Sequence, residues 1–114
     1  MKLLSLFLTR EAWASLLTLK MQLGADRYAF SKYTDKVYSE LMTIEKGRRK
    51  CLEDFGNPEP GSAEMIKCDQ EFKKFLEAES ELPVCTLSLA SILKQSTGSI
   101  SINDEQQLKP FFKE

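Results

Sequence analysis

The most basic run in the chain is Lys46-Gly47-Arg48-Arg49-Lys50. Four cations in so short a run suit a phosphate group or a nucleic-acid backbone. No aromatic residue is interleaved with them to stack on a base, which weakens the nucleic-acid reading. The competing reading is internal: Arg48 and Arg49 pair with an acidic segment of the same chain. Tyr28 and Tyr38 are further interaction candidates, because an exposed aromatic on a helix suits a protein interface.

Other chemistry is narrowed by residue type. The chain has no histidine. That removes Ser-His-Asp and Cys-His nucleophilic systems and every metal site built on imidazole. Cys51, Cys68 and Cys85 lack the CxxC spacing of a structural zinc site and read as reduced thiols. There is no GxxxxGK[ST], GxGxxG or GxSxG. Glu40 and Glu45, and the alternating Glu77, Glu79 and Glu81, read as solvated acidic surface. A helical di-metal site would want inward Glu residues joined to Glu-x-x-His. No catalytic, cofactor-binding or metal-binding residue is assigned. A non-enzymatic protein without a cofactor is expected, and an enzyme using carboxylates or Cys85 ranks last.

The elements that position these residues can be read from the pattern of the chain. Its 114 residues, 42% hydrophobic and 29% charged, suit one folded domain over 1–114. Net charge is −1, so no global field draws it to nucleic acid or an anionic membrane. Locally the charge is lopsided. Residues 1–52 hold ten Lys or Arg against five Asp or Glu, and residues 53–81 hold three against nine. The opening apolar run, Met1 to Leu8, is interrupted by Thr9-Arg10-Glu11 before it reaches signal-peptide form. No stretch approaches the roughly 20 apolar residues of a membrane span. A cytoplasmic protein with no membrane partner is expected.

Thr9 is a plausible N-cap for a first helix reaching about Met21. Asp26 caps the next, in which Phe30, Tyr33, Val37, Leu41, Ile44, Leu52 and Phe55 recur at helical spacing. Gly47 is the only weak point inside it, at roughly 1 kcal/mol relative to Ala. Gly56 suits the position just past its end. Residues 57–62 form a loop, and a second helix follows over about 63–80. A short loop makes these two helices antiparallel neighbours. The expected register sets Ile44 opposite Phe75, Arg48 near Glu71, Glu45 near Lys74 and Cys51 opposite Cys68, with one mismatch of Lys46 near Lys73. Such exposed charge pairs contribute only about 0.3 kcal/mol each, so they select a register rather than hold the fold.

Segments 2–8, 82–89 and 99–102 are candidate strands, with a helical turn over 88–94 and a short final helix capped by Asn103 or Asp104. The expected fold is therefore α+β, mainly α. It is a long antiparallel helical hairpin over about 26–80, with a small two- or three-stranded sheet at its open end. Trp13, Tyr28, Phe30, Tyr33 and Tyr38 should form the core between the first helix and the base of the hairpin, with one of Tyr28 and Tyr38, which lie on different faces, left exposed. The long helix exceeds its partner, so its first turns need cover from the first helix or from a second copy of the chain.

The order of features from Tyr33 and Lys36 resembles a group of small phage- and prophage-encoded proteins of unassigned function. The matching residues run through Glu40-Leu41, Ile44-Glu45, Arg48 and Phe55-Gly56. Phe72 and Phe75-Leu76 follow, then 82–89, Ile100-Ser101, Leu108 and Pro110-Phe111. The opening segment departs from that group in being more apolar. The resemblance implies no catalytic residue. It implies a protein acting inside an infected bacterium by binding a phage or host component. The expected function is a protein-binding module, such as an assembly factor or a modulator of a host complex, with a protein partner or a homodimer. The alternative is a nucleic-acid-binding accessory protein using residues 46–50.

Overall fold

The computed structural model describes residues 1–21 and 24–113. The structure is mainly helical with two very small sheets. Helices α1 (Leu3–Leu8) and α2 (Arg10–Leu17) lead into strand β1 (Lys20–Met21). Helix α3 (Ala25–Asp54) and helix α4 (Ala63–Leu76) follow. Strand β2 (Cys85–Ser88), helix α5 (Leu89–Gln95) and strand β3 (Ser96–Thr97) come next. Helix α6 (Ile102–Leu108), a 3-10 turn over Lys109–Phe111 and strand β4 (Phe112–Lys113) complete the order.

Segment 2–8 is helix rather than strand. Leu3 and Leu6 are its buried residues, one turn apart, so a helix hides both under one face. A short apolar run carries no periodicity that separates the two readings. α1 lies along the end of α4, with Phe7 edge-on to Phe72 at 5.3 Å between centroids. The Leu3 amide donates to the Ala78 carbonyl at 2.9 Å, and the Ser80 amide donates to the Met1 carbonyl at 2.8 Å. These contacts take residues 77–80 out of the second helix, which ends at Leu76 instead of about Ser80. Thr9 precedes α2 without capping it. Its hydroxyl donates backward to the Ser5 carbonyl at 2.9 Å.

α3 holds to the expected length. Its N-cap is Gly24, and Asp26 lies inside the first turn, where its carboxylate accepts from Gln95 Nε2 at 2.9 Å. At the other end, Gly56 takes φ +71, a conformation that favours glycine. Its amide donates to the Glu53 carbonyl at 3.0 Å, while the Asn57 amide reaches the Leu52 carbonyl at 2.8 Å. This paired closure satisfies carbonyls that the helix end would leave open. Ser62 then caps α4, its hydroxyl accepting from the Met65 amide at 3.1 Å.

α3 and α4 pack antiparallel, but α4 has 14 residues against the 30 of α3. The hairpin is therefore double only in its distal part. The Phe75 ring sits on Gly47, so close that a Cβ there would lie 2.5 Å from the ring Cζ. Glycine here is a contact surface, not merely a helix weakness. Among the described residues no ion pair joins α3 to α4. Glu45 instead pairs with Arg49 at 3.5 Å and Glu71 with Lys74 at 3.1 Å, each within its own helix. Apolar packing fixes the register and leaves exposed charges to their nearest neighbours, where holding the pair costs less side-chain entropy.

The first turns of α3 are covered from within the chain. Phe30, Tyr33 and Val37 are buried, and Trp13 stands 6.1 Å from the Tyr33 ring. Phe111 and Phe112 close the cluster, with centroids 5.4 and 5.5 Å from Trp13. The Tyr33 hydroxyl donates to the Pro83 carbonyl at 2.7 Å, with the Phe111 carbonyl at 3.2 Å as a second acceptor. The excess length of α3 thus calls for no second copy.

Strand β2 lies parallel to β4, pairing Cys85 with Phe112 and Ser88 with Lys113. Strand β1 lies antiparallel to β3, pairing Lys20 with Thr97 and Met21 with Ser96. The strand content of 82–89 narrows to Cys85–Ser88, and 99–102 contains no strand. Ser101 caps α6 by accepting from the Asp104 amide at 3.1 Å, in place of Asn103 or Asp104. Ser101-x-x-Asp104 is a capping-box spacing, so that signal was present in the sequence. The helical turn expected over 88–94 is α5.

Candidate functional site

The interaction candidates are all exposed, and they do not form one patch. Tyr28 and Tyr38 are 65% and 60% exposed, so both face solvent rather than only one. Ten helical residues separate them, about 15 Å along α3 and roughly 80° around it. Tyr28 carries Lys32 over its ring, 5.2 Å from the centroid. Tyr38 shares its face with Met42 one turn on, 39% exposed. Beneath this face Val37 and Ile44 are buried, so packing holds the helix that presents it.

Lys46, Arg48, Arg49 and Lys50 are exposed on the distal part of α3. Their spacing wraps them around the helix. Lys46 lies one turn from both Arg49 and Lys50, Arg49 lies toward Glu45, and Arg48 points elsewhere around the helix. Among the described residues, Lys46, Arg48 and Lys50 make no ion pair. The charge expected to be absorbed by the acidic arm is therefore left facing water.

The cysteines are all free. Cys51 is half-buried and Cys68 buried on the facing helix, as the expected hairpin places them. Burial pushes the Cys51 thiol up, and the neighbouring Cys68 adds to the shift. Burial likewise raises the Cys85 thiol, against two backbone hydrogen bonds that lower it. Because the thiolate is the nucleophile, both shifts disfavour attack from these sulfurs. Glu40 and Glu45 do not converge. Glu40 accepts from the Ser80 hydroxyl at 2.8 Å, while Glu45 faces Arg49. Among the described residues no group of His, Cys, Asp or Glu has the arrangement to hold a metal ion.

Two clefts were not visible in the sequence. One, about 510 Å³, lies between the end of α2, β1, the early turns of α3 and α5, with Lys20 and Arg27 among its lining residues. The other, also about 510 Å³, lies between the start of α5 and the segment of α6 to β4, beside Leu89, Pro110 and Phe112. Each is assembled from segments far apart in the chain, so no local motif marks it.

Tyr33 links the core to these surfaces and gives a direct test. Burial pushes its phenol up from the ordinary value of 10.0, and the adjacent Cys85 pushes the same way. A raised folded-state value means stability fully present below pH 10 and lost as pH rises above it. Tyr33→Phe should cost about 1–3 kcal/mol at neutral pH, since the buried Phe111 carbonyl and the part-buried Pro83 carbonyl lose their donor. The gap between wild type and variant should narrow above pH 10. Denaturant midpoints measured between pH 7 and pH 11 check both, and a constant gap would contradict the assignment.

Comparison with known proteins adds no identification: no protein-family model, curated protein or solved structure matches this chain. No helix among the described residues is long and apolar enough to cross a membrane.

Proposed function

We propose that this chain is a non-enzymatic protein-binding module whose contact surface is the outward face of α3 around Tyr38 and Met42. The observation that carries the reading is the exposure of these two side chains, one turn apart on a helix held from behind by the core. Tyrosine and methionine are enriched at interfaces, and the tyrosine ring supplies contact area at low entropic cost. A rigid helix presenting them loses little further freedom on binding. The resemblance to small phage- and prophage-encoded proteins suggests the setting. There the chain acts as an assembly factor or as a modulator of a host complex, in the bacterial cytoplasm, and its partner is a phage or host protein or a second copy. Light scattering and pull-down with the full chain test this. The expected result is a stable complex that Tyr38→Ser with Met42→Ser weakens at least tenfold while the circular dichroism spectrum stays unchanged. A lone monomer that captures nothing would count against it.

A second reading rests on the unpaired Lys46, Arg48 and Lys50, which suit a phosphate backbone. Such binding loses affinity steeply as salt rises, because neutralised phosphates release counterions. A gel-shift series with no complex at low salt would remove it.

A further inference from the structure

We propose that the cleft between α2, β1, α3 and α5 is a binding site for a small amphipathic anion, with an apolar body and a single carboxylate or similar head group. This inference is independent of the binding face on α3. The cleft's volume, about 510 Å³, falls in the range of small-molecule sites. Its floor is core: Leu16, Phe30 and Ile92 line it and are all buried. Its only charged lining residues among those described are Lys20 and Arg27, both exposed and both cationic. Ser31 adds a hydroxyl to the lining, while that of Thr34 donates to the Ser31 carbonyl at 3.0 Å.

The placement of Arg27 strengthens the case. It lies in the opening turn of α3, where the helix dipole already presents positive charge and where anions, not cations, are favoured. The N-cap, Gly24, supplies no side chain to receive the free amides. The nearby carboxylate, Asp26, is turned toward α5 and held by Gln95. Asp26 also accounts for one negative charge against two cations and the helix end, so the mouth keeps a positive excess. A ligand with a negative head satisfies that excess while its apolar part covers Leu17, Leu19 and Met21, lining residues whose apolar surface is still open to solvent. A cation or a fully polar anion would satisfy only one of the two.

Titration calorimetry with the full chain and sodium decanoate tests the proposal, with decyltrimethylammonium and acetate as comparators. Decanoate should bind saturably at one site. Decyltrimethylammonium should bind at least tenfold more weakly, and acetate not measurably. Lys20→Glu with Arg27→Glu should weaken decanoate at least tenfold. Ser31→Trp, which fills the cleft from an exposed position, should abolish binding without lowering the melting temperature. Lys46→Glu with Lys50→Glu, at the far end of α3, should leave it unchanged. Absence of saturable binding, equal binding of the cationic amphiphile, or indifference to both cleft variants would each overturn the proposal.

Discussion

Trp13→Ala should cost about 3–5 kcal/mol, the range for removing a large aromatic from a packed core, and so most of the stability of a typical small domain. Trp13 is 0% exposed and touches three rings at once: Tyr33, Phe111 and Phe112. These rings come from two distant parts of the chain, α3 and the C-terminal segment, so no single neighbour can move in to fill the space. Among the described residues the indole Nε1 has no hydrogen-bond partner, so the loss is one of packing. Urea unfolding followed by circular dichroism measures it. A loss below about 1 kcal/mol would mean that the aromatic cluster is not the centre of the core.

The second large effect reverses an ordinary rule. Gly→Ala inside a helix usually stabilises by about 1 kcal/mol. At Gly47 the added methyl would lie 2.5 Å from Phe75 Cζ and 2.7 Å from Cε1. Phe75 is stacked beside Phe72, with centroids 6.1 Å apart, which limits how far its ring can swing. Overpacking of this kind costs about 1–3 kcal/mol, so Gly47→Ala should destabilise. The same change made together with Phe75→Ala should stabilise relative to Phe75→Ala alone, because the obstruction is gone. A double-mutant cycle by thermal unfolding reads this change of sign. If Gly47→Ala is stabilising in both backgrounds, the two helices do not approach as closely as described.

What the sequence made legible was local. The three- and four-residue spacing from Phe30 to Phe55 marked α3, and Gly56 marked its end. Those signals depend only on neighbours along one helix. The close approach of α4 was not legible, because Gly47 reads as a propensity cost until its partner, Phe75, is known. β2 falls within the expected strand segment 82–89, but the other strands were beyond reach. β1 and β3 are two residues each and pair across most of the sequence, with no alternating pattern long enough to announce them. The six interaction candidates are all exposed, although the sequence places one of Tyr28 and Tyr38 in the core. Their dispersal around α3 follows from helix geometry, and Lys46, Arg48 and Lys50 stay unpaired because the arm-to-arm charge match did not form. The cleft near Arg27 needs four elements to exist, so nothing in one segment signalled it.

The aromatic cluster has a consequence for how the molecule assembles. Trp13 meets Phe111 and Phe112 across nearly the whole described chain, whereas Gly47 and Phe75 close only a short loop. Closing a longer loop costs more chain entropy before any contact repays it. The distal hairpin is thus the natural early nucleus, and the seal formed by Phe111 and Phe112 is late. Changes at Gly47 then act on the speed of folding, while changes in the seal act on the lifetime of the folded state.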